Sequence, residues 1–411
     1  MTIHQAAPVK DDVASTLLAY RDEFVALRRK LHSEPEMGFR EVKTSALVAE
    51  LLETWGYDVT HGVGKTGVVG TLRNGDSHAS IGIRADMDAL PIVEATGLAY
   101  ASTTSGTMHA CGHDGHTTIL LAAARYLAET RKFSGTFRAI FQPSEEGGAG
   151  ARAMINDGLF DRFPVDGIFG LHNWPGVPTG QFGFRSGPTM ASVDLVIIRV
   201  IGKGGHGAKP AQTVDPVVAA ASLVLALQTV VSRNVDPLET AVVTVGTING
   251  GIAANVIPDS VELKLTVRTF NEAVREQIKA RIIALAEAQA GSYGARVEIS
   301  YPRGYSTLVN HEQETAFARQ VASRHFGERR VETDFRAITA SEDFAFMLQE
   351  RPGSYLFIGN GDSADLHSPR YDFNDNILVD AARFWVHLVQ DYLADRNGKN
   401  PTLSAEGSDA P

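Results

Sequence analysis

Apolar positions recur at helical spacing over residues 46–55 and 117–131, whereas 81–85 and 137–141 alternate or run apolar as strands do. Residues 167–171 and 354–358 read as two more short buried strands. Strands separated by helices predict an α/β fold with a mostly parallel mixed sheet flanked by helices. Between about 191 and 303 the character changes: 193–201, 241–248 and 260–269 read as strands, and 214–231 and 272–290 as helices. This α+β stretch interrupts the first pattern, which resumes near 306. The pattern therefore predicts a domain of 1–188 with 304–395, an inserted domain of 189–303, and a polar, disordered tail at 396–411.

The unusual polar residues fall at strand ends. Asp86 and Asp88 follow the strand ending near Ala85, Glu145 and Glu146 follow Phe141, His172 follows Leu171, and His367 comes shortly after Ile358. Sites in open α/β sheets form beyond the carboxyl ends of strands, so these segments are expected to converge. One decoy is set aside: Gly62-Val-Gly64-Lys-Thr-Gly67 fits a dinucleotide fingerprint, yet a strand-like run, 68–72, follows where that fingerprint needs a helix.

At 411 residues the chain exceeds the size at which one core keeps growing, which agrees with two domains. The net charge of −10, with no basic block longer than Arg28-Arg29-Lys30, excludes a nucleic-acid partner. The single cysteine, Cys111, excludes an intrachain disulfide and suits a reducing cytoplasm, the expected location. The first residues, MTIHQAAPVKDD, carry neither an apolar core nor a small-residue cleavage site, so no secretory signal is expected. The longest apolar stretch, 217–231, is interrupted by Ser222, Gln228 and Thr229 and is shorter than the ~20 residues of a spanning helix. A buried helix, and no membrane role, is the reading it supports.

Residues 108–116, Met-His-Ala-Cys-Gly-His-Asp-Gly-His, hold a thiol, three imidazoles and a carboxylate. Thiolate, neutral imidazole and carboxylate all bind first-row metals, and the two glycines let the backbone bend around an ion. A polar loop with a reactive cysteine is the plainer alternative. Glu145-Glu146 lies on a turn after Gln142-Pro143-Ser144, where neighbouring carboxylates can point apart. One can then bind metal while the other serves as a base. Standing alone, the pair would read as two solvated glutamates near a helix start.

The blocks RADMDALP (84–91), MHACGHDGH (108–116), FQPSEEGGAGA (141–151), GLHNWP (170–175), GGHGAKP (204–210), NVIPD (255–259), ASEDF (340–344) and Leu366-His367 together resemble the M20 metallopeptidases, in their aminoacylase or hippurate hydrolase-like branch. Order and spacing match to about residue 392. The resemblance implies that Cys111, His113, Glu146, His172 and His367 hold two divalent ions, that Glu145 is the general base, and that the reaction is metal-assisted hydrolysis of an N-acyl-L-amino acid. Asp88 falls at the family's position for orienting a histidine ligand. Many members begin the site with His-x-Asp where this chain has Asp86-x-Asp88, and Cys111 stands where others have a bridging aspartate. The metal is therefore left among Zn²⁺, Mn²⁺, Co²⁺ and Ni²⁺. His172 and His367 are ligands by matching position, since a lone histidine after a buried strand is more often a core residue. His109 and His116 lack that support and read as structural or as partners of the ligands.

The inserted domain resembles the family's lid, which implies a homodimer or homotetramer formed through it. The resemblance assigns His206, on a glycine-flanked turn, to the developing oxyanion, and Asn255 and Arg268 to the substrate. A guanidinium suits a free carboxylate because it donates two parallel hydrogen bonds. A surface histidine and a strand-surface charge are the plainer readings of His206 and Arg268. Thr339 and Glu342 have the spacing of a helix capping box. A dipeptidase or carboxypeptidase with the same metal chemistry is the nearest competing function, and a catalytically silent metal-binding protein the next. Glu145 speaks against the latter, because binding needs ligands but no base beside them.

Overall fold

The computed structural model describes residues 12–396; the expected tail beyond Arg396, which still ends the last helix, lies outside them. The chain divides into two compact units, one made of the chain up to Gly187, Asn310–Phe335 and the chain from Phe346, the other of Pro188–Val309 and Arg336–Ala345. The second unit thus takes in 304–309 and 336–345 as well as the expected stretch. Backbone pairing explains the latter segment: Ala191 N–H is shared between the carbonyls of Ile338 and Ala340, and Ile338 N–H donates to Thr189.

The first unit is built on an eight-stranded mixed sheet. Its centre is parallel, in the order Gly135–Gln142, Ser80–Asp86, Gly167–Pro175, Gly353–Gly361. Gly67–Asn74 and Asp58–Val63 extend one flank antiparallel, and Phe182–Gly183 joins the other antiparallel. Central strands with both faces covered read as near-continuous apolar runs, and Gly353–Gly361 is buried at every position. The glycine-rich stretch from Gly62 to Gly67 is the turn of the first hairpin, with no helix after it.

Helix His113–Thr130 is buried along nearly its whole length and packs against helices Asp12–Ser33 and Leu378–Arg396. It starts before the apolar period begins at 117, because Gly112 at φ 93° turns the chain into it. His113 and His116 therefore stand on its first turn. Strand Gly167–Pro175 likewise runs past the expected end at 171, so His172 lies within the strand.

The second unit is an antiparallel four-stranded sheet in the order Ala241–Asn249, Ser260–Thr269, Ser192–Ile201, Arg296–Ser300. Helices Pro216–Asn234 and Glu272–Ser292 share a core with the strand face carrying Val196, Ile198 and Val200. Both helices start as their sequences dictate: Asp215 accepts the Val217 N–H ahead of Pro216, and Asn271 accepts the Ala273 and Val274 N–H groups. Pro216–Asn234 is long and apolar enough to cross a membrane by composition, but it buries Ala219, Ala220, Leu223, Leu227 and Val230, a helical stripe, in this core. Thr339 and Glu342 do not cap a helix together. The next helix begins at Ala345, and the Glu342 carboxylate accepts the Phe344 N–H instead.

Candidate metal centre

The first unit brings four chain segments together. Gly112 separates Cys111 from His113 in a left-handed turn that a side chain could not share: a Cβ there would lie 2.3 Å from Asn173 Oδ1. Ser144 at φ 50° does the same for the acidic pair. It turns the Glu145 and Glu146 N–H groups onto the two oxygens of Asp88, each at 3.0 Å. His367, at φ 63°, is held by its N–H donating to Ala110 carbonyl at 2.8 Å.

Cys111, His113 and His172 offer donor atoms within 4.8 Å of one another, and so do Cys111, Glu146 and His367. Cys111 belongs to both groups, where a shared ligand between two ions would stand. Its Sγ lies 3.3 Å from His172 Nε2, and His367 Nε2 lies 3.1 Å from a Glu146 carboxylate oxygen. Glu145 joins a third group with His113 and Glu146.

The residues fit divalent ions on three physical counts. First, both imidazoles turn Nδ1 to a backbone carbonyl, which leaves Nε2 as the atom available to an ion. His113 Nδ1 donates to the Asp88 backbone carbonyl at 2.9 Å with the Asp88 carboxylate at 3.2 Å, and His172 Nδ1 donates to Asn173 carbonyl at 2.6 Å. Second, His113 Nε2 is buried without a hydrogen-bond partner, which a folded protein rarely tolerates unless something else binds there. Third, the field favours a cation. Burial opposes a charge on His113, yet the carboxylates of Asp86, Asp88 and Glu146 outweigh it and hold its pKa up at about 10. Burial, and then Glu146, Glu145 and Asp86, push the Cys111 thiol well above its ordinary value, whereas burial keeps His172 neutral. A cation reverses the thiol's preference, because a coordinating thiol is deprotonated outright.

The surroundings contain residues outside the expected ligand set. His116 Nδ1 donates to Asp86 at 2.6 Å, and its Nε2 meets Asn173, whose amide reaches the Tyr371 hydroxyl. Asp86 also takes Arg84 at 2.6 Å. Tyr371 is far away in the chain and nothing in its neighbourhood flags it. His109 is buried in the wall with both ring nitrogens unbonded, and burial lowers its pKa to about 4.

The three other expected residues lie in the second unit. His206 and Asn255 are neighbours there: His206 pairs with Val256, and Gly207 N–H donates to Asn255 carbonyl at 2.8 Å. His206 Nδ1 accepts the Ala208 N–H at 3.0 Å, so the neutral ring carries its proton on Nε2 as an exposed donor. Arg268, half-buried on strand Ser260–Thr269, donates to Thr339 carbonyl at 2.9 Å and has no acidic partner among the described residues.

A central mixed sheet with thiol, imidazole and carboxylate donors gathered beside it defines an α/β protein with a candidate metal centre. The chain belongs to peptidase family M20/M25/M40, whose profile matches residues 82–391. It is 44% identical over 377 residues to a hippurate hydrolase of Campylobacter jejuni, covering 92% of this chain and 98% of that one. It is 41% identical over 363 residues to an N-acetyl-L-cysteine deacetylase of Bacillus subtilis, covering 88% and 86% respectively. Among solved structures it resembles a dinuclear metal-binding peptidase of the M20 family from Bacillus subtilis, with TM-score 0.79 and 33% identity over 92% of this chain and 99% of that one.

Proposed function

We propose that this protein hydrolyses the amide bond of N-acyl-L-amino acids, releasing a carboxylic acid and a free amino acid, with two divalent ions held by Cys111, His113, Glu146, His172 and His367. The observation that carries the proposal is the sharing of the buried Cys111 between two donor groups. The similarity to a hippurate hydrolase and an N-acetyl-L-cysteine deacetylase supports the substrate class. When bound, such ions act as Lewis acids that polarise the scissile carbonyl and acidify water. Sulfur, nitrogen and oxygen donors together suit Zn²⁺, Mn²⁺, Co²⁺ or Ni²⁺.

Glu145 takes the proton of the attacking water and passes it to the leaving amide nitrogen as the C–N bond breaks. Asp88 fixes this base and the Glu146 ligand by binding both their N–H groups, and fixes His113 through Nδ1. His206 donates its Nε2 proton to the carbonyl oxygen as that oxygen gains charge. Arg268 and Asn255 bind the carboxylate end of the substrate. We further infer a homodimer or homotetramer formed through the second unit, supported by the open sheet face that exposes Leu195 and Ile197. A cytoplasmic location suits its one unbridged thiol.

The test is a turnover panel of N-acetyl, N-benzoyl and longer N-acyl amino acids beside dipeptides, run after metal removal and resupply of Mn²⁺, Zn²⁺ or Co²⁺, with Glu145→Gln as control. N-acyl turnover that the substitution abolishes supports the proposal. Turnover of dipeptides alone moves the assignment to a peptidase, and no turnover with any ion removes the enzymatic reading.

A further inference from the structure

Asp86, His116, Asn173 and Tyr371 form a buried chain of polar groups behind the donors, and it touches the backbone beside each of three ligands. His116 stands one turn after His113 on the same helix, their rings 5.5 Å apart, and its ring meets that of His172 edge-on at 4.6 Å. Its Nε2 lies 2.8 Å from Asn173 Oδ1 and 3.1 Å from the Asn173 backbone nitrogen. Asn173 is the residue whose carbonyl orients His172, and its side chain occupies the space beside Gly112, between Cys111 and His113. The Tyr371 hydroxyl also lies against Gly112, 2.7 Å from where a Cβ would be. His116 and Asn173 are almost fully buried, and all of His116's ring nitrogens are engaged, so this histidine has no lone pair left for an ion.

We propose that His116 and Asn173 are positioning residues for the ion held by Cys111, His113 and His172, and that they set its affinity separately from that of the ion held by Cys111, Glu146 and His367. The inference rests on the proposed metal centre and deepens it. The physical ground is an asymmetry: the clamp touches the His172 strand and the Gly112 turn beside His113, donors of the first group, whereas Glu146 and His367, the donors found in the second group alone, are held by Asp88 and Ala110. Partners that orient ligands change metal affinity about 10- to 100-fold when lost.

The experiment is titration of chelator-stripped protein with Co²⁺ against a competing chelator, following the sulfur-to-cobalt absorption band and the number of ions bound. In His116→Ala and Asn173→Ala, one of the two binding steps weakens about 10- to 100-fold while the other stays within about threefold of wild type. Tyr371→Phe keeps the ring and removes the hydroxyl; it moves the same step in the same direction and guards against a variant that merely misfolds. Asn173→Asp, which retains an oxygen facing His116, restores part of the affinity. If both steps weaken equally, or neither does, the positioning role is overturned. Wild type that binds no Co²⁺ and shows no sulfur band removes the metal centre itself, a separate outcome.

Discussion

Two single residues carry most of what can be tested cheaply. Glu145 is a base and no ligand in the scheme above, so Glu145→Gln lowers kcat by about 10²- to 10⁴-fold while the protein still binds two ions in an elemental assay. Loss of the ions along with activity would make Glu145 a ligand instead. Gly112→Ala puts a Cβ into Asn173 at a φ that costs an alanine about 1–3 kcal/mol, so it lowers Tm and weakens metal binding together. An unchanged melting curve would show that the turn relaxes freely. Cys111 was legible at once, as the sole thiol between two histidines. Asn173 and Tyr371 were not, because an amide and a phenol carry no distinctive spacing and matter only through what they touch.

Among elements, helices Asp12–Ser33 and His113–Thr130 are joined by buried charges. His32 Nδ1 donates to Asp114 at 2.8 Å, with Arg28 Nη1 at 3.4 Å from the same carboxylate. Burial alone lowers the His32 pKa, but the hydrogen bond and charge of Asp114 outweigh it and raise it above the ordinary value. The charged pair thus stabilises the fold fully below the unfolded imidazole pKa of about 6.5, and the contribution fades as pH rises through the higher folded value. His32→Gln is accordingly expected to lower Tm more at pH 6 than at pH 9. An equal loss at both pH values would leave His32 as packing only. The helix His113–Thr130 also shows how an element boundary escapes a hydrophobic pattern: its first turn is polar because it faces the donors, so the apolar period starts late. Strand Gly167–Pro175 escaped for the same reason, with His172 interrupting an apolar run.

At the scale of the whole molecule, the alternation of strands and helices and the change of character near 191 were legible along the chain. The recruitment of Arg336–Ala345 into the second unit was not, since pairing of Ile338 with Thr189 joins residues far apart in sequence. The proposed carboxylate-binding role of Arg268 has a simple check: Arg268→Lys raises KM for the free acid at least about tenfold, because a lysine cannot form the two parallel bonds of a guanidinium. It leaves turnover of a carboxyl-esterified substrate nearly unchanged. Equal effects on both substrates would end the role. For assembly, sedimentation of wild type should give a dimer or tetramer, and charge placed on the exposed sheet face by Ile197→Glu should shift it to monomer. A wild-type monomer at micromolar concentration would contradict the oligomer.

The amino-acid sequence by itself determined which donors exist and that an α/β sheet would carry them, because periodicity and side-chain chemistry are local properties. It also fixed the bends, since glycine at 112 permits a turn that almost no other residue would. Only the tertiary structure decided that Cys111 lies within reach of both donor groups, that Asp88 binds the Glu145–Glu146 turn, and that His116, Asn173 and Tyr371 stand behind the histidines. Those are contacts across long stretches of chain, set by how strands order in the sheet, and no spacing along the chain encodes that order.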